Sequence, residues 1–529
     1  MAERIIEKRI YPIGIQSFPD IIEGGYTYVD KTFFVAKLVK ECKYVFLSRP
    51  RRFGKSLLLS TIHTYFDGKR DLFKGLDIDS LDMDWTPRPV LHFDLNSEDY
   101  SAEDALFSLL NRFLNEYEHI YGIQEVDLTL SGRFSQLIKT ANRKTGQKVV
   151  ILIDEYDKPL LQLKEDSELY VKRQSMLKGF FSNLKSMDGY IEFAMLTGVA
   201  RFSKVSIFSD LNNLNDISMY EQYQEICGWT EEEMVSNFKY GIEELARKRG
   251  ETSEQTIKEL RNYYDGYLFC DEGDRIYNPY SVLKALYSKK IKPYWFESGT
   301  PTFLAKRIKN SGIEPEAING QERTYEDLIA IGTGTGNILS LMFQTGYLTI
   351  ASYDFRRNRY TLRFPNKEVE IGFAKFLLPL YAPSINKNNS PFNLMNFQDD
   401  LYDGDPKAFM ERLNTLFKDL PGEDHNESTY RAVTYLLCLL SGTEAMADRH
   451  SYKGRSDLEV LTPDYVYVFE FKYNKSVKEA MDQIHSRDYA GRYAMDHRPV
   501  FLIGANLNES KHERELQYKI VNYPESQIQ

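Results

Sequence analysis

The sequence predicts a multidomain α/β protein, and three stretches carry that prediction. KYVFLS (43–48) runs into SRPRRFGKS (48–56) and then SLLLSTIHTYFDG (56–68), a strand, a turn and a helix in succession. KVVILIDEYDKPL (148–160) is an apolar run ending in two acidic residues. GRSDLEVLTPDYVYVFEFKYN (454–474) holds two apolar-aromatic runs with charges set inside them. At 529 residues the chain exceeds what one core serves, so about two to four domains are expected.

The chain-wide balance narrows the function classes. With 42% hydrophobic and 27% charged residues, the composition is that of a soluble globular protein. The net charge of -10 excludes a protein that coats nucleic acid nonspecifically, but leaves room for a local basic groove. Cys42, Cys227, Cys270 and Cys438 lie far apart without C-x-x-C pairing, which reads as reduced buried thiols and no zinc site. MAERIIEKRIYPIG lacks the apolar centre of a signal peptide, and runs such as VVILI and YLLCLL fall short of a membrane span. A cytoplasmic protein with no membrane partner is expected.

In the first block, the general phosphate-loop pattern G-x-x-x-x-G-K-[ST] is met at Gly54, Lys55 and Ser56, with Arg49 in place of the first glycine. The loop lies between a strand and a helix, the context the pattern needs. Lys55 would reach the β- and γ-phosphates, Ser56 would ligand Mg²⁺, and the helix N-terminus would add partial positive charge. Pro50 would pre-set the turn; Arg51 and Arg52 add positive charge, and Phe53 and Leu57 complete the candidate ATP-contacting set with Arg49. About a hundred residues on, Asp154 would hold the Mg²⁺ and Glu155 would polarise the attacking water. A further strand, YIEFAMLTGVARFSK (190–204), brings Thr197 and Arg201 as candidates near the γ-phosphate, and PVLHFDLNS (89–97) supplies one more. The block reads as a mainly parallel nucleotide-binding sheet.

These residues resemble the AAA-ATPase-like proteins of bacteria. The matching stretches are YTYVDKT (26–32), SRPRRFGKSLLLSTI, ILIDEYDKPL, LTGVARFSKVSIFSDLNNLNDIS (196–218), YYDGYLF (263–269) and YNPYSVL (277–283). In that family Arg-Pro-Arg-Arg-Phe-Gly-Lys-Ser is the usual loop form, so Arg49 follows the family where it departs from the general pattern. The resemblance implies ATP as ligand and extends over the whole chain, since members often carry a C-terminal nuclease-like domain.

The middle of the chain turns helical. WTEEEMVSNFKYGIEELARKRG opens with Thr230 as N-cap and Glu233 at the capping-box position, and the resemblance implies a lid over the nucleotide. Within 325–378, helices precede a hairpin formed by YLTIASYD and RYTLRFPN around a turn near Arg356–Asn358, and a helix follows. That order suggests a winged-helix-like module. Its basic cluster, Arg356, Arg357 and Arg359, is short, which favours passing motion between domains over binding DNA. GTGTG (332–336) lacks a preceding strand and reads as a turn; APSINKNNSPFN (382–393) reads as a linker.

At the C-terminal end, SDLEVL and YVYVFEFKY read as antiparallel strands joined at Thr462-Pro463-Asp464. Period-two geometry puts Glu470 and Lys472 on one face, with Asp457 across from them. Two carboxylates and a lysine suit metal-assisted phosphodiester hydrolysis, with Asp457 and Glu470 holding Mg²⁺ or Mn²⁺ and Lys472 orienting the nucleophile. Glu427 opens the helix ESTYRAVTYLLCLL, and Gln483 follows two turns into a helix that starts at Ser476. The order Glu, Asp, Glu-x-Lys, Gln resembles the PD-(D/E)XK nuclease superfamily, with Ser456 where the name has proline, and implies a restriction-endonuclease-like domain. His425, His450, His485 and His497 have no ligand spacing.

The expected organisation is therefore a nucleotide-binding core at 1–218, a helical lid at 219–300, a winged-helix-like module with linker at 301–395 and a nuclease-like domain at 396–529. The leading function is an ATPase whose nucleotide state controls a metal-dependent DNA nuclease, in a setting of mobile-element or foreign-DNA control by analogy of architecture. The alternative is a nucleotide-switched scaffold with a non-catalytic nuclease-like domain. A ring-forming DNA motor is weaker, with Arg201 the one candidate arginine finger, and self-association is left open.

Overall fold

In strands covered on both faces, apolar residues run on without alternation, because neither side meets water. Tyr44–Ser48 (β1) is of this kind; Val90–Asp94 (β2) alternates; Val149–Asp154 (β3) is buried throughout and Ile191–Gly198 (β4) nearly so; Asn215–Asp216 (β5) is short. Their order is β2-β3-β4-β1-β5, every pairing parallel, so the alternating β2 and the short β5 are the edges. β4 separates the loop-bearing β1 from the acidic-tipped β3. Because all strands run the same way, the tips of β1, β3 and β4 lie at one rim, where ligands bind in such sheets.

The computed structural model describes residues 11–124, 129–161, 163, 167–201, 213–298, 302–329, 338–386, 393–420, 426–450, 454–510 and 513–523. GTGTG (332–336), His425, the first ten residues and half of the 382–393 stretch (387–392) lie outside these. The chain forms two compact units: Met1–Ser298 with Glu322–Lys367, and Gly299–Gln321 with Glu368–Gln529. The stretch 301–395, set apart by sequence, is thus divided between them.

In the first unit, helices Glu231–Arg249, Ser253–Tyr264 and Pro279–Ser288 share one core, in which Trp229, Phe238, Leu260 and Tyr277 are buried. The capping box of Thr230 and Glu233 forms in both directions, as its spacing predicts. The same unit holds Glu322–Arg323 (β6), Thr349–Asp354 (β7) and Arg359–Arg363 (β8), an antiparallel sheet in the order β6-β8-β7. Its backbone is bound to the DGYLF segment: Arg275 donates to the carbonyls of Gly266 (2.9 Å), Ile350 (3.1 Å) and Ala351 (3.0 Å), and Asn366 donates to Asp265 O at 2.7 Å.

In the second unit, Glu444–His450 (β9), Arg455–Leu461 (β10), Val466–Tyr473 (β11), Val500–Glu509 (β12) and Arg514–Tyr523 (β13) form a mixed sheet in the order β13-β12-β11-β10-β9. Only β11 and β12 are parallel, and helix Val477–Ser486 lies in their crossover. The buried face of helix Glu427–Leu440 includes Val433, Leu436 and Leu437. All four cysteines are free; Cys42 is only half-buried, short of the full burial expected. Among the described residues no helix is long and apolar enough to cross a membrane.

Gly266 sits at φ +101, and a Cβ there would lie 2.0 Å from the Pro365 carbonyl oxygen. Gly266→Ala is expected to destabilise the first unit by about 2–4 kcal/mol, from an incompatible φ and a backbone clash. A thermal melt within a degree of wild type would contradict this.

Candidate functional site

Gly54, at φ +97, caps helix Lys55–Phe66, a conformation that Gly alone adopts without steric cost. Arg52 at φ +69 and Glu155 at φ +51 are non-glycine residues in the same region, the kind of local strain that packed surroundings hold at functional loops. The loop is clasped from several sides. The Arg51 carbonyl accepts from Trp295 Nε1 (3.2 Å) and the Phe53 carbonyl from Gly228 N (3.1 Å). The Arg52 guanidinium lies 4.9 Å from the Tyr280 ring centre, and Phe53 stands edge-on to Tyr267 at 4.8 Å. Pro50 packs against Gly346.

Arg49, expected among the nucleotide contacts, is 1% exposed and turned toward main chain. It donates to the carbonyls of Ser48 (3.0 Å), Ser218 (2.7 Å) and Tyr223 (3.0 Å) and sits 4.5 Å from the Phe269 ring centre. Burial pulls its pKa down to about 10. Lys55 Nζ donates to the carbonyls of Arg49 (3.0 Å) and Pro50 (3.2 Å) and lies 4.0 Å from Glu155. The Asp154 carboxylate accepts from Ser56 Oγ and from Thr197 Oγ1, each at 2.5 Å. A cavity of about 450 Å³ is lined by Arg51 through Leu57, by Glu155, and by Tyr280 and Leu283 of the helical segment. Arg201 is not brought to it: its N–H donates to Gln344 Oε1 (2.6 Å) and its Nε faces Asp216 (3.5 Å).

Sequence reasoning passed over Asp157, two residues beyond the acidic pair. It is wholly buried, and Oδ2 accepts from Val199 N (2.9 Å) and Ala200 N (2.6 Å). Tyr156 adds its N–H to the Thr197 carbonyl (3.1 Å) and its hydroxyl to the Ala200 carbonyl (2.7 Å). The acidic tip of β3 and the end of β4 therefore move as one piece. The D-E-Y-D run was the available signal.

In the second unit, the pairing of Leu458 with Phe469 sets Asp457 across from Glu470. Asp457 accepts from Phe471 N at 2.7 Å. Glu470 is wholly buried; Oε1 takes Lys472 Nζ at 2.6 Å, while Oε2 has no hydrogen-bond partner among the described residues. Burial, then the Asp457 charge, pushes the Glu470 carboxyl up to about 8; burial also raises Asp457. Burial works against the Lys472 ammonium, but the hydrogen bond and charge of Glu470 with the charges of Asp457 and Glu427 together outweigh it, so its pKa moves up. Glu427 acts on all three by charge. Gln483 donates to Tyr489 OH at 3.1 Å, one step removed from the carboxylates.

Arg431 is the residue that the sequence reading missed here. One helical turn beyond Glu427, and so on the same face, it donates from Nε to Glu316 (2.6 Å), pairs with Glu314, and holds NH1 3.6 Å from Asp457 Oδ1. Among the described residues no three His, Cys, Asp or Glu gather as a metal-holding group. The Asp457–Glu470 pair, with its buried uncommitted oxygen, still suits Mg²⁺, which takes one or two carboxylates and fills its shell with water and phosphate oxygens.

Two outcomes are expected. Arg49→Lys should lower stability by about 2–4 kcal/mol, because an ammonium cannot reach three carbonyls as a planar fork does, while ATP affinity of the folded protein changes less than about threefold. A large affinity loss with stability intact would put Arg49 at the phosphates instead. For Asp157, burial raises the pKa from 3.8 to about 7. Across that window the unfolded chain loses this proton and the folded one keeps it, so stability falls as pH rises, by at most about 1.4 kcal/mol per pH unit, and levels off above about 7. Asp157→Asn should lack this contribution, so its melting temperature should gain on wild type from pH 5 to pH 8; parallel curves would contradict the assignment.

Residues 12–208 match the family described as Predicted AAA-ATPase, and residues 425–516 match the PD-(D/E)XK nuclease superfamily. A protein of Azotobacter chroococcum mcd 1, described as an uncharacterized protein in the vnfD 5′ region, is 34% identical over 520 residues, covering 95% of this chain and 97% of that one. With likeness running nearly end to end and the two matches falling on the two five-stranded sheets, the chain belongs to the family of AAA-ATPase-like proteins that carry a C-terminal PD-(D/E)XK nuclease-superfamily domain.

Proposed function

We propose that this protein binds and hydrolyses ATP, and that its nucleotide state controls a divalent-metal-dependent DNA nuclease on the same chain. The observation that carries the nuclease half is the Asp457–Glu470–Lys472 constellation, with one Glu470 oxygen buried and uncommitted. A group so costly to bury is retained where a ligand uses it. Mg²⁺ or Mn²⁺ held by Asp457 and Glu470 would supply Lewis acidity and a more acidic bound water. Lys472, held 2.6 Å from Glu470, orients the attacking water and offsets charge developing on the phosphate. Arg431 keeps Asp457 aimed inward while anchored on Glu316.

The nucleotide half rests on Lys55. Its ammonium now bonds two carbonyls of its own loop, and phosphate oxygens, being charged, are the stronger acceptors. Binding ATP would draw Lys55 away from the Arg49 and Pro50 carbonyls. Arg49 is bonded to residues 218 and 223, and Pro50 abuts Gly346, so the loop cannot shift without these segments responding. Ser56 and Asp154 would hold the Mg²⁺ of the nucleotide, Glu155 would polarise water, and the 219–300 helices would close over the ligand.

The test is cleavage of linear and circular DNA with Mn²⁺ or Mg²⁺, with and without ATP. Lys472→Ala should reduce cleavage by at least about a hundredfold, and Lys55→Ala should abolish the response to ATP. Cleavage that persists in Lys472→Ala would remove the assigned site. ATP binding without cleavage under any condition would favour a nucleotide-switched scaffold.

A further inference from the structure

The turn joining β7 to β8 presents an aromatic ring to solvent. Phe355 is 84% exposed, and Arg356 and Arg357 beside it are exposed too. The turn is firmly built. Asp354 Oδ1 accepts from the N–H groups of Arg356 (2.9 Å) and Arg357 (3.1 Å). Asn358, at φ +52, accepts from Tyr353 OH at 2.9 Å. Below it, Tyr353 stacks on Tyr360 at 4.5 Å, and Tyr360 OH donates to Asp271 at 2.7 Å. A lone exposed ring is ordinary on a protein surface; this one is held outward on an ordered turn beside two exposed arginines, and it is that combination which points to a ligand.

Charge indicates the partner. Residues 322–323 and 354–363 hold Arg323, Arg356, Arg357, Arg359 and Arg363 against Glu322 and Asp354, a positive island on a chain of net charge -10. Arg359 is paired with Glu322 at 2.8 Å and Arg357 more loosely with Asp354 at 3.7 Å, while Arg356 has no carboxylate partner among the described residues. An aromatic face flanked by arginines is the combination that binds single-stranded nucleic acid: bases stack on the ring and phosphates meet the guanidinium groups. In a duplex the bases already stack on one another, and opening a step costs more than one ring returns.

The shortness of the basic cluster by itself favours transmission of motion over DNA binding; with Phe355 held out beside it, we propose instead that this hairpin tip holds an unpaired segment of nucleic acid, with a base on Phe355 and phosphates on Arg356 and Arg357. This rests on the reading that the chain acts on nucleic acid, and assigns a contact that the nuclease constellation does not include.

The full-length chain is titrated against fluorescein-labelled oligothymidylate and a duplex of equal length, by anisotropy in EDTA over a range of salt. Single strands are expected to bind more tightly than the duplex. Phe355→Ala should weaken oligothymidylate binding about five- to tenfold at unchanged salt slope, and Phe355→Trp should restore it. Arg356→Gln/Arg357→Gln should make the slope of log affinity against log salt shallower by about 1.4, for two single-strand phosphate contacts. Unchanged affinity in Phe355→Ala overturns the proposal. So does a Phe355→Ala effect confined to self-association in sedimentation, which would assign the tip to a second copy of this chain. Mn²⁺-dependent cleavage measured in parallel separates the two readings: Phe355-dependent binding without cleavage removes the nuclease and keeps the tip, and cleavage with unaltered Phe355→Ala binding does the reverse.

Discussion

The Asp154 carboxylate accepts from a hydroxyl on the loop helix and a hydroxyl on β4, each at 2.5 Å. Ser56, Thr197 and Asp154 come from three distant parts of the sequence, and they meet only because β4 lies between β1 and β3 with all tips at one rim. The remaining nucleotide geometry depends on that meeting. Lys55 directly precedes Ser56, Glu155 follows Asp154, and Tyr156 and Asp157 secure the same rim to residues 197–200. A charge-bearing acceptor shared by two hydroxyls is strong inside a protein, where the low dielectric raises the cost of losing either partner.

The two units handle buried charge differently. Arg49 is stabilised by carbonyls and an aromatic face, and its guanidinium remains charged because its ordinary pKa is so high that burial brings it only to about 10. Glu470 has no such margin. It is a carboxyl among buried aromatic strand residues with a second carboxylate across from it, and the single ammonium of Lys472 satisfies one of its two oxygens. Apolar residues of similar volume would stabilise that strand better. Arg49 leaves its buried Nε without a hydrogen-bond partner among the described residues, but three carbonyls take its terminal nitrogens, whereas Glu470 has one ammonium for two buried oxygens.

Much of this was legible in the sequence because it is local. Apolar runs marked β1, β3 and β4, Thr230 with Glu233 marked a helix start, and Glu470-x-Lys472 marked one face of a strand, all within the reach of two- and 3.6-residue periodicity. What stayed hidden was set at long range. The order of the parallel strands is a property of crossovers, and the return of residues 322–367 to the first unit across 299–321 leaves no compositional trace. Arg431 reads as one more charge on a helix until Glu314 and Glu316, more than a hundred residues earlier, come beside it. Arg49 shows the limit of motif reading most clearly, for the pattern named its position and left its direction open.

That direction changes what the loop is. In the general phosphate-loop pattern the first position is glycine, and such a loop wraps phosphate with little attachment elsewhere. Here the same position is bonded to the carbonyls of Ser218 and Tyr223, and the next carbonyls along, those of Arg49 and Pro50, are the ones that Lys55 occupies. A ligand that draws Lys55 off those carbonyls alters hydrogen bonding at a residue clamped to the segment that leads into the helices lining the same cavity. Placing an arginine bonded to three carbonyls where the general pattern has glycine gives up backbone freedom at the loop entry and ties the loop to residues 218 and 223. Packed protein transmits small displacements because its interior does not compress, so under the nucleotide control proposed above the arginine would make the loop one end of a lever.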